Sequence, residues 1–256
     1  MRYVITIAAA AASLLSGAPA SAGDGVLITH TITSGRETGT HRALIEAARI
    51  RTEFATSDGE RQSMVYDHAA GILRVIDDAA KTYSEIKSTE IDRVGGHMAF
   101  AFRDLQRQAQ TAPPEERARI EEMIKAVEGP PLDYVKGGPD TVGAWACDTY
   151  VVSLKGQKLA DTCVAQATAF GLTRQDLEII KRFQEFLSKV MKGGSELLFN
   201  VGLTPPPGSS GIVVRLVGGP TRTDLTAATR QTFSDALFAV PTGYRKVPYP
   251  ELRPEK

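Results

Sequence analysis

Hydrophobic and polar residues alternate over short stretches in the first third of the chain. Four such stretches, rich in β-branched and aromatic residues, are 25–34, 62–67, 72–77 and 81–86. This pattern favours strands over helices. The segment 40–55 is also predicted to be extended, although its alanines and charges permit a helix. Polar turns such as Asp58-Gly59 separate the segments, so the sequence predicts an antiparallel meander.

The middle of the chain changes to apolar residues at helical spacing. This spacing predicts three helices, over 89–109, 115–127 and 174–192. Pro113-Pro114 is expected to open the second helix. Thr173 is the expected N-cap of the third.

Further strands are predicted between and after these helices. They cover 146–153, 157–165, 197–199, 212–217 and 233–240, and a proline-rich loop lies at 205–210. The order along the chain is strands, two helices, a hairpin, a helix and strands. Helices segregated from the strands in this way are typical of an α+β fold with an antiparallel sheet.

Residues 1–22 predict a signal peptide. Arg2 supplies a positive start, residues 3–15 are apolar or small, and Ala20-Ser21-Ala22 is a small-x-small cleavage site. The apolar run is too short to span a bilayer, and no later stretch is long enough, so no transmembrane anchor is expected. We expect cleavage after Ala22 and export to an oxidising compartment.

The charge balance argues against one class of partner. The chain has 30 Lys and Arg residues and 30 Asp and Glu residues. A protein that binds nucleic acid normally shows a basic excess or a basic stripe, so we expect no nucleic-acid partner. Residues 23–247 are predicted to form a single domain, and residues 248–256 a charged C-terminal tail.

The two cysteines, Cys147 and Cys163, are predicted to form a disulfide, because exported proteins are oxidised. Both lie in the predicted hairpin around the loop 154–156. Their residue numbers have the same sum as those of Ser153 and Gln157, which flank that loop. The two sulfurs are therefore expected to face each other directly across the hairpin. A catalytic thiol is the alternative, but no C-x-x-C motif or nearby histidine supports it.

Candidate catalytic and metal-binding residues are few. The four histidines are His30, His41, His68 and His97. They fall in four different predicted elements, and none has a ligand partner at zinc-like spacing. We therefore predict no metal site and no cofactor. Ser195 follows a helix rather than a strand-to-helix elbow, and no phosphate-binding or nucleophile motif occurs. The sequence predicts a protein that is not an enzyme.

Four local strings carry a family resemblance. They are RVIDDAAKTYSEI (74–86), PPEERARIE (113–121), GAWACDTY (143–150) and VPTGYRKV (240–247). In this order they resemble motifs of the DUF4412 family, exported bacterial proteins of unknown function. The resemblance covers nearly the whole chain after the signal peptide and implies a periplasmic location.

The family is similar in architecture to the lipoprotein carriers LolA and LolB. This resemblance implies a curved antiparallel sheet, an open half-barrel, with about three helices packed on or over its concave side and an apolar cavity between. The candidate residues that line this cavity are Met98, Phe102, Phe183, Phe186 and Leu187. An ordinary packed core is the alternative for the same apolar stripes.

Two hypotheses for function follow. The first is an exported, non-enzymatic protein that shields an apolar ligand, such as an acyl chain or a lipoprotein lipid, in a half-barrel. The alternative is an envelope assembly or interaction factor that binds a protein partner through a sheet edge or the loop 205–210.

Overall fold

The computed structural model describes residues 22–91, 104, 107–128, 132–190, 206, 209 and 211–249. Most of these residues belong to one sheet of twelve strands. The strands are β1 (Ala22–Ser34), β2 (Glu37–Glu46), β3 (Arg49–Thr56), β4 (Arg61–Asp67), β5 (Ile72–Asp77), β6 (Thr82–Lys87), β7 (Leu132–Val142), β8 (Trp145–Leu154), β9 (Gln157–Gln166), β10 (Gly211–Gly218), β11 (Thr221–Ser234) and β12 (Arg245–Lys246). The α-helices with described bounds are α1 (Pro114–Glu128) and α2 (Arg174–Val190), and short 3-10 helices lie at Ala167–Phe170 and Asp235–Phe238.

The sheet is open. Its strand order from one edge to the other is β12-β6-β5-β4-β3-β2-β1-β11-β10-β9-β8-β7, so β12 and β7 form the two edges within the described residues. Neighbouring strands are antiparallel, except that β12 runs parallel to β6. The predicted meander corresponds to β1–β6, which are neighbours in the chain and in the sheet. An open, mostly antiparallel sheet with few helices is thus confirmed.

One face of β1–β6 is apolar and carries α2; we call it the helix face. Val26 lies opposite Ile45, and Ile45 lies opposite Ile50, so alternate residues of successive strands meet on this face. The helix packs here against β2 and β3. Its buried side chains, which join the sheet residues in one core cluster, are Ile179, Ile180, Phe183, Phe186 and Leu187. Their helical spacing explains why the stripe was visible in the sequence.

The start of α2 is fixed by the predicted N-cap. The Asp176 backbone N–H donates to the Thr173 hydroxyl oxygen at 3.2 Å, and the Thr173 N–H and hydroxyl both donate to the Asp176 carboxylate at 2.8 Å. Arg230 of β11 donates to the same carboxylate at 2.7 Å. Buried Asp176 therefore links the N-terminus of α2 to β11 in the middle of the sheet. Its negative charge is favourable at the positive, N-terminal end of the helix dipole.

The opposite face of β1–β6 is covered by the start of the C-terminal segment, from Asp235 to Tyr244. A second core cluster lies there, made of Leu44, Val65, Ile76, Phe233 and Phe238. Arg49 donates to Asp235 at 2.6 Å, and its guanidinium carbon lies 4.5 Å from the centroid of the Phe238 ring. These contacts hold the segment on the sheet as it runs from β11 to β12 at the edge.

Some elements differ from the sequence predictions. The segment 40–55 forms two strands, because the chain turns at Ala47-Ala48 between β2 and β3. The segment 233–240 is not a strand of its own; it holds the end of β11 and then a 3-10 helix. The alanine pair and the mixed composition of these segments gave no turn signal.

Other predictions lie outside the described residues. They concern the signal peptide over 1–21, most of the predicted helix 89–109 with the candidate cavity residues Met98 and Phe102, the segment 197–199, most of the loop 205–210, and the tail from 250 to 256. Among the helices that are described, none has the length and apolar character needed to cross a membrane.

Candidate functional site

Cys147 and Cys163 form the predicted disulfide, with their Cα atoms 5.6 Å apart. The predicted register is wrong, because Cys163 lies opposite Thr149 rather than opposite Cys147. The hairpin turn contains two residues, Lys155 and Gly156, both with positive φ (51° and 77°), and a bulge at Leu159 in β9 follows it. The disulfide therefore joins diagonal rather than directly opposed positions of β8 and β9.

The three α2 candidates for cavity lining do come together, but as part of the core. Phe183 and Leu187 are each 1% exposed. The ring of Tyr66 on β4 lies against Phe183 and Phe186, with centroid distances of 5.6 Å and 5.2 Å. One cavity among the described residues is lined by Phe186 but not by Phe183 or Leu187.

That cavity, which we call the cleft, lies between the C-terminal half of α2 and the ends of β4–β6. Its volume is about 210 Å³, and it is lined by Tyr66, His68, Gly71, Ser88, Ile91, Arg182, Glu185, Phe186 and Lys189. Tyr66, Ile91 and Phe186 are buried core residues and form its apolar floor. The remaining residues give it a polar rim.

The rim carries several hydrogen-bonding and charged groups. The Tyr66 hydroxyl lies 3.2 Å from Nδ1 of His68, and either group can be the donor. Burial raises the pKa of Tyr66, so its hydroxyl keeps its proton. Arg182 and Lys189 are seven residues apart and Glu185 lies between them, so two cations and one carboxylate follow the same side of α2. This helical spacing was a signal in the sequence, but the partners from β4–β6 were not.

The two edges of the sheet differ in how they are covered. At the β6 edge, the backbone N–H groups of Arg245 and Val247 donate to the carbonyls of Lys81 and Tyr83 at 3.0 Å and 2.8 Å. Further along the same strand, Lys87 N–H donates to the Glu90 carboxylate at 3.1 Å. The β6 edge is therefore protected by the chain itself.

The β7 edge has no such cover among the described residues, where β8 is its only strand neighbour. The outer edge of a terminal strand presents backbone N–H and C=O groups that another strand can pair with. Gly137, Gly138 and Pro139 interrupt the middle of β7 at a register shift. The residues before them, Leu132–Lys136, pair regularly with β8, and Val135 in this stretch is 62% exposed.

His30 and His41 form a buried pair in the centre of the sheet. They lie opposite each other on β1 and β2, with ring centroids 6.0 Å apart, and are 0% and 6% exposed. His30 Nε2 donates to the Val213 carbonyl at 3.0 Å in its neutral form. Burial lowers the pKa of both rings; it takes that of His41 to about 4, with a smaller contribution from neighbouring His30. Asp224 opposes the shift of His30.

This pair predicts that the protein loses stability in mild acid. The pKa of His41 is 6.5 in the unfolded chain and about 4 when folded. Between these values the unfolded state binds more protons, so stability present above pH 6.5 is lost as the pH falls towards 4. Each pKa unit is worth about 1.4 kcal/mol, so His41 alone should lower the free energy of unfolding by about 2 kcal/mol from about pH 7 to about pH 5. Urea titrations at the two pH values measure this.

The H41Q variant is the matching control. Glutamine does not titrate, so the difference between the two pH values should shrink clearly in this variant. An unchanged pH dependence in H41Q would contradict the assignment to His41.

Groups of three or more potential metal ligands are absent among the described residues. His68 lies on the rim of the cleft, whereas His30 and His41 lie in the core. The prediction for His97 falls outside the described residues.

Comparison with known proteins gives distant similarity only. No protein-family model matches the chain, and no curated protein matches it, so the resemblance to the DUF4412 family stays a prediction. An uncharacterized conserved protein from Thermus thermophilus is 9% identical with a TM-score of 0.43, over 87% of this chain and 90% of the matched chain. A crystal structure of MucB in complex with MucA(peri) is 11% identical with a TM-score of 0.37, over 88% of this chain and 57% of the matched chain.

The Pseudomonas aeruginosa MucA/MucB complex gives the same result, with 11% identity, a TM-score of 0.37, and coverage of 84% of this chain and 55% of the matched chain. This chain thus spans just over half the length of the matched chains in both complexes. Similarity at this level assigns neither a ligand nor a partner to it.

Proposed function

We propose that this chain is an exported, non-enzymatic protein that binds a partner protein by adding a strand to its sheet at β7. The observation that carries the proposal is the contrast between the two sheet edges. The β6 edge is occupied by β12 and by the Glu90 carboxylate. The β7 edge has strand neighbours on one side only within the described residues.

The chemistry of β7 favours an extended peptide as the occupant. A bound strand gains main-chain hydrogen bonds along the edge and contacts for alternate side chains. Leu132–Lys136 offers five regularly paired residues before the glycine-rich interruption. Exposed Val135 in their middle offers an apolar contact, which a binding strand would remove from water.

Export is supported by the disulfide, because disulfides persist mainly in oxidising compartments. The predicted signal peptide is consistent with that location, which we propose to be the periplasm. The protein partner would then be an envelope protein. Catalysis forms no part of the proposal, since the sequence contains no motif for a nucleophile, a base or a metal.

A carrier of an apolar ligand is the second proposal, and the apolar floor of the cleft supports it. Its volume of about 210 Å³ is below the roughly 300–1,000 Å³ usual for a whole ligand. A complete acyl chain needs more space than the described residues enclose. We therefore favour binding of a partner protein at β7 over transport of an apolar ligand.

The test of the first proposal places a photo-crosslinking amino acid at Val135 of the exported protein. We expect one defined envelope protein to be crosslinked at this position. The V135K variant should reduce its co-purification about tenfold or more, because a charge opposes burial at the edge. Quantitative mass spectrometry of crosslinked and co-purified proteins measures both effects.

Leu237 provides a matched control, since it is also an exposed apolar residue, 41% exposed, but lies in the C-terminal segment. A crosslinker at Leu237 should not capture the partner, and L237K should leave co-purification unchanged. Equal capture from both positions would contradict strand addition at β7. Crosslinking of Val135 to a second copy of the same chain would contradict binding of a different protein and would show that β7 mediates self-association.

A further inference from the structure

The cleft has the size of a small organic group. Its volume is about 210 Å³, and a water molecule occupies about 30 Å³ in the liquid. The cleft therefore has room for a group about the size of a short carboxylic acid or one amino-acid residue. This corresponds to a short apolar group with a polar end, and is far too small for a lipid with complete acyl chains.

The lining has an apolar side and a charged side. Tyr66, Ile91 and Phe186 provide buried apolar and aromatic surface, which favours an apolar group of matching size. The charged side contains two cations, Arg182 and Lys189, and one carboxylate, Glu185.

Hydrogen-bond donors are also present at the rim. Arg182 forms an ion pair with Glu178 through its Nε atom, at 3.0 Å. A guanidinium carries five N–H donors in all, in a fork that matches a carboxylate. Ser88 also lines the cleft and carries a hydroxyl group. A Cβ atom at Gly71 would come within 2.8 Å of the Ser88 Oγ, so the glycine leaves room for this hydroxyl.

We propose that the cleft binds a monocarboxylate attached to a compact apolar group, with the carboxylate at Arg182 and the apolar group on the floor formed by Tyr66, Ile91 and Phe186. Two sources share this chemistry: a free short-chain carboxylic acid, and the C-terminal residue of a peptide. The cleft is the one proposed above for an apolar ligand, but the ligand expected here is smaller than an acyl chain. It does not rest on partner binding at β7.

The experiment titrates the full chain with four probes and follows binding by calorimetry. Hexanoate represents a free acid, N-acetyl-leucine represents a peptide C-terminus, and N-acetyl-leucinamide is the same group without the charge. Palmitate tests the acyl-carrier proposal. We expect hexanoate or N-acetyl-leucine to bind, the amide to bind about tenfold more weakly or not at all, and palmitate to bind no better than hexanoate. The tighter of the first two probes identifies the source.

Arg182→Gln is the informative variant and should weaken binding of the carboxylate about tenfold. Arg174→Gln is its matched control, because Arg174 is an exposed arginine on the same helix that does not line the cleft. An unchanged melting temperature shows that each variant is folded. Equal binding of acid and amide, equal effects of the two variants, or no binding of either acid would overturn the inference. Palmitate binding much more tightly than hexanoate would also overturn it and would support the acyl carrier.

Discussion

The F183A variant is expected to lose about 4 kcal/mol of its free energy of unfolding, measured by urea titration with circular dichroism. Phe183 is 1% exposed and belongs to the core cluster on the helix face. Its ring lies against Tyr66 with a centroid distance of 5.6 Å. Truncation removes buried apolar surface and leaves a cavity, because neighbours held in β-strands relax only partly.

The F54A variant is the control for this prediction. Phe54 lies on the same face, in β3, but is 39% exposed, so its truncation should cost less than about 1 kcal/mol. A similar loss in both variants would mean that Phe183 does not have the role of a core residue. In that case, a cavity-lining role for the α2 stripe would regain support.

The same comparison explains what the α2 stripe could and could not predict. The spacing from Ile179 to Leu187 identifies the helix and its buried side, because an amphipathic helix must cover its apolar stripe. It does not say whether that side meets packed residues or an open space. That depends on the distance between helix and sheet, which is set by contacts such as Asp176 with Arg230.

The region of β1–β6 was predicted to be extended, and β1, β4, β5 and β6 were each recognised from β-branched or aromatic residues between polar turns. The turn at Ala47-Ala48 was missed because alanine carries no turn preference. β7 was missed because Gly137, Gly138 and Pro139 are normally signs of a loop. β11 was missed for a different reason: it is rich in threonine and charged residues, and it is held by pairing with β1 along its length rather than by its own apolar pattern.

The cleft could not be predicted, since its residues come from separate elements. Tyr66, Ser88 and Arg182 are far apart in sequence and meet only because α2 crosses the ends of β4–β6. The exposed edge at β7 could not be predicted for the same reason. Its exposure depends on the strand order, which is a property of the whole sheet. Local patterns therefore identified the elements, whereas both candidate binding surfaces depend on how these elements assemble.

The disulfide is intermediate between these cases, because a chain with two cysteines allows only one internal pairing. Pairing follows from composition, but register depends on the turn and on a bulge beside it. The prediction requires a three-residue loop, whereas Lys155 and Gly156 form a two-residue turn, which moves the register of β8 against β9 by one residue. The extra residue Leu159 in β9 moves it by one more, so the two cysteines are diagonal rather than directly opposed.

The C147S/C163S variant is expected to lose about 3 kcal/mol of its free energy of unfolding, because the cross-link closes a loop of 16 residues and restricts the unfolded chain. The folded state should change little. The strands β8 and β9 keep their ladder, and the Arg215 guanidinium, opposite Cys163, still donates to Asp140, opposite Cys147, at 3.0 Å. Urea titration of both proteins, with and without dithiothreitol, measures the effect.

Reduction serves as the internal control for this prediction. Dithiothreitol should destabilise the wild type by about the same amount as the double substitution and should have no effect on C147S/C163S. An equal loss by both routes assigns the effect to the cross-link, because reduction leaves the cysteine side chains in place. A loss in C147S/C163S alone would instead assign it to replacing two buried sulfurs by polar hydroxyls. In that case, the disulfide would have little influence on the unfolded state, and its support for export would rest on its formation rather than on its contribution to stability.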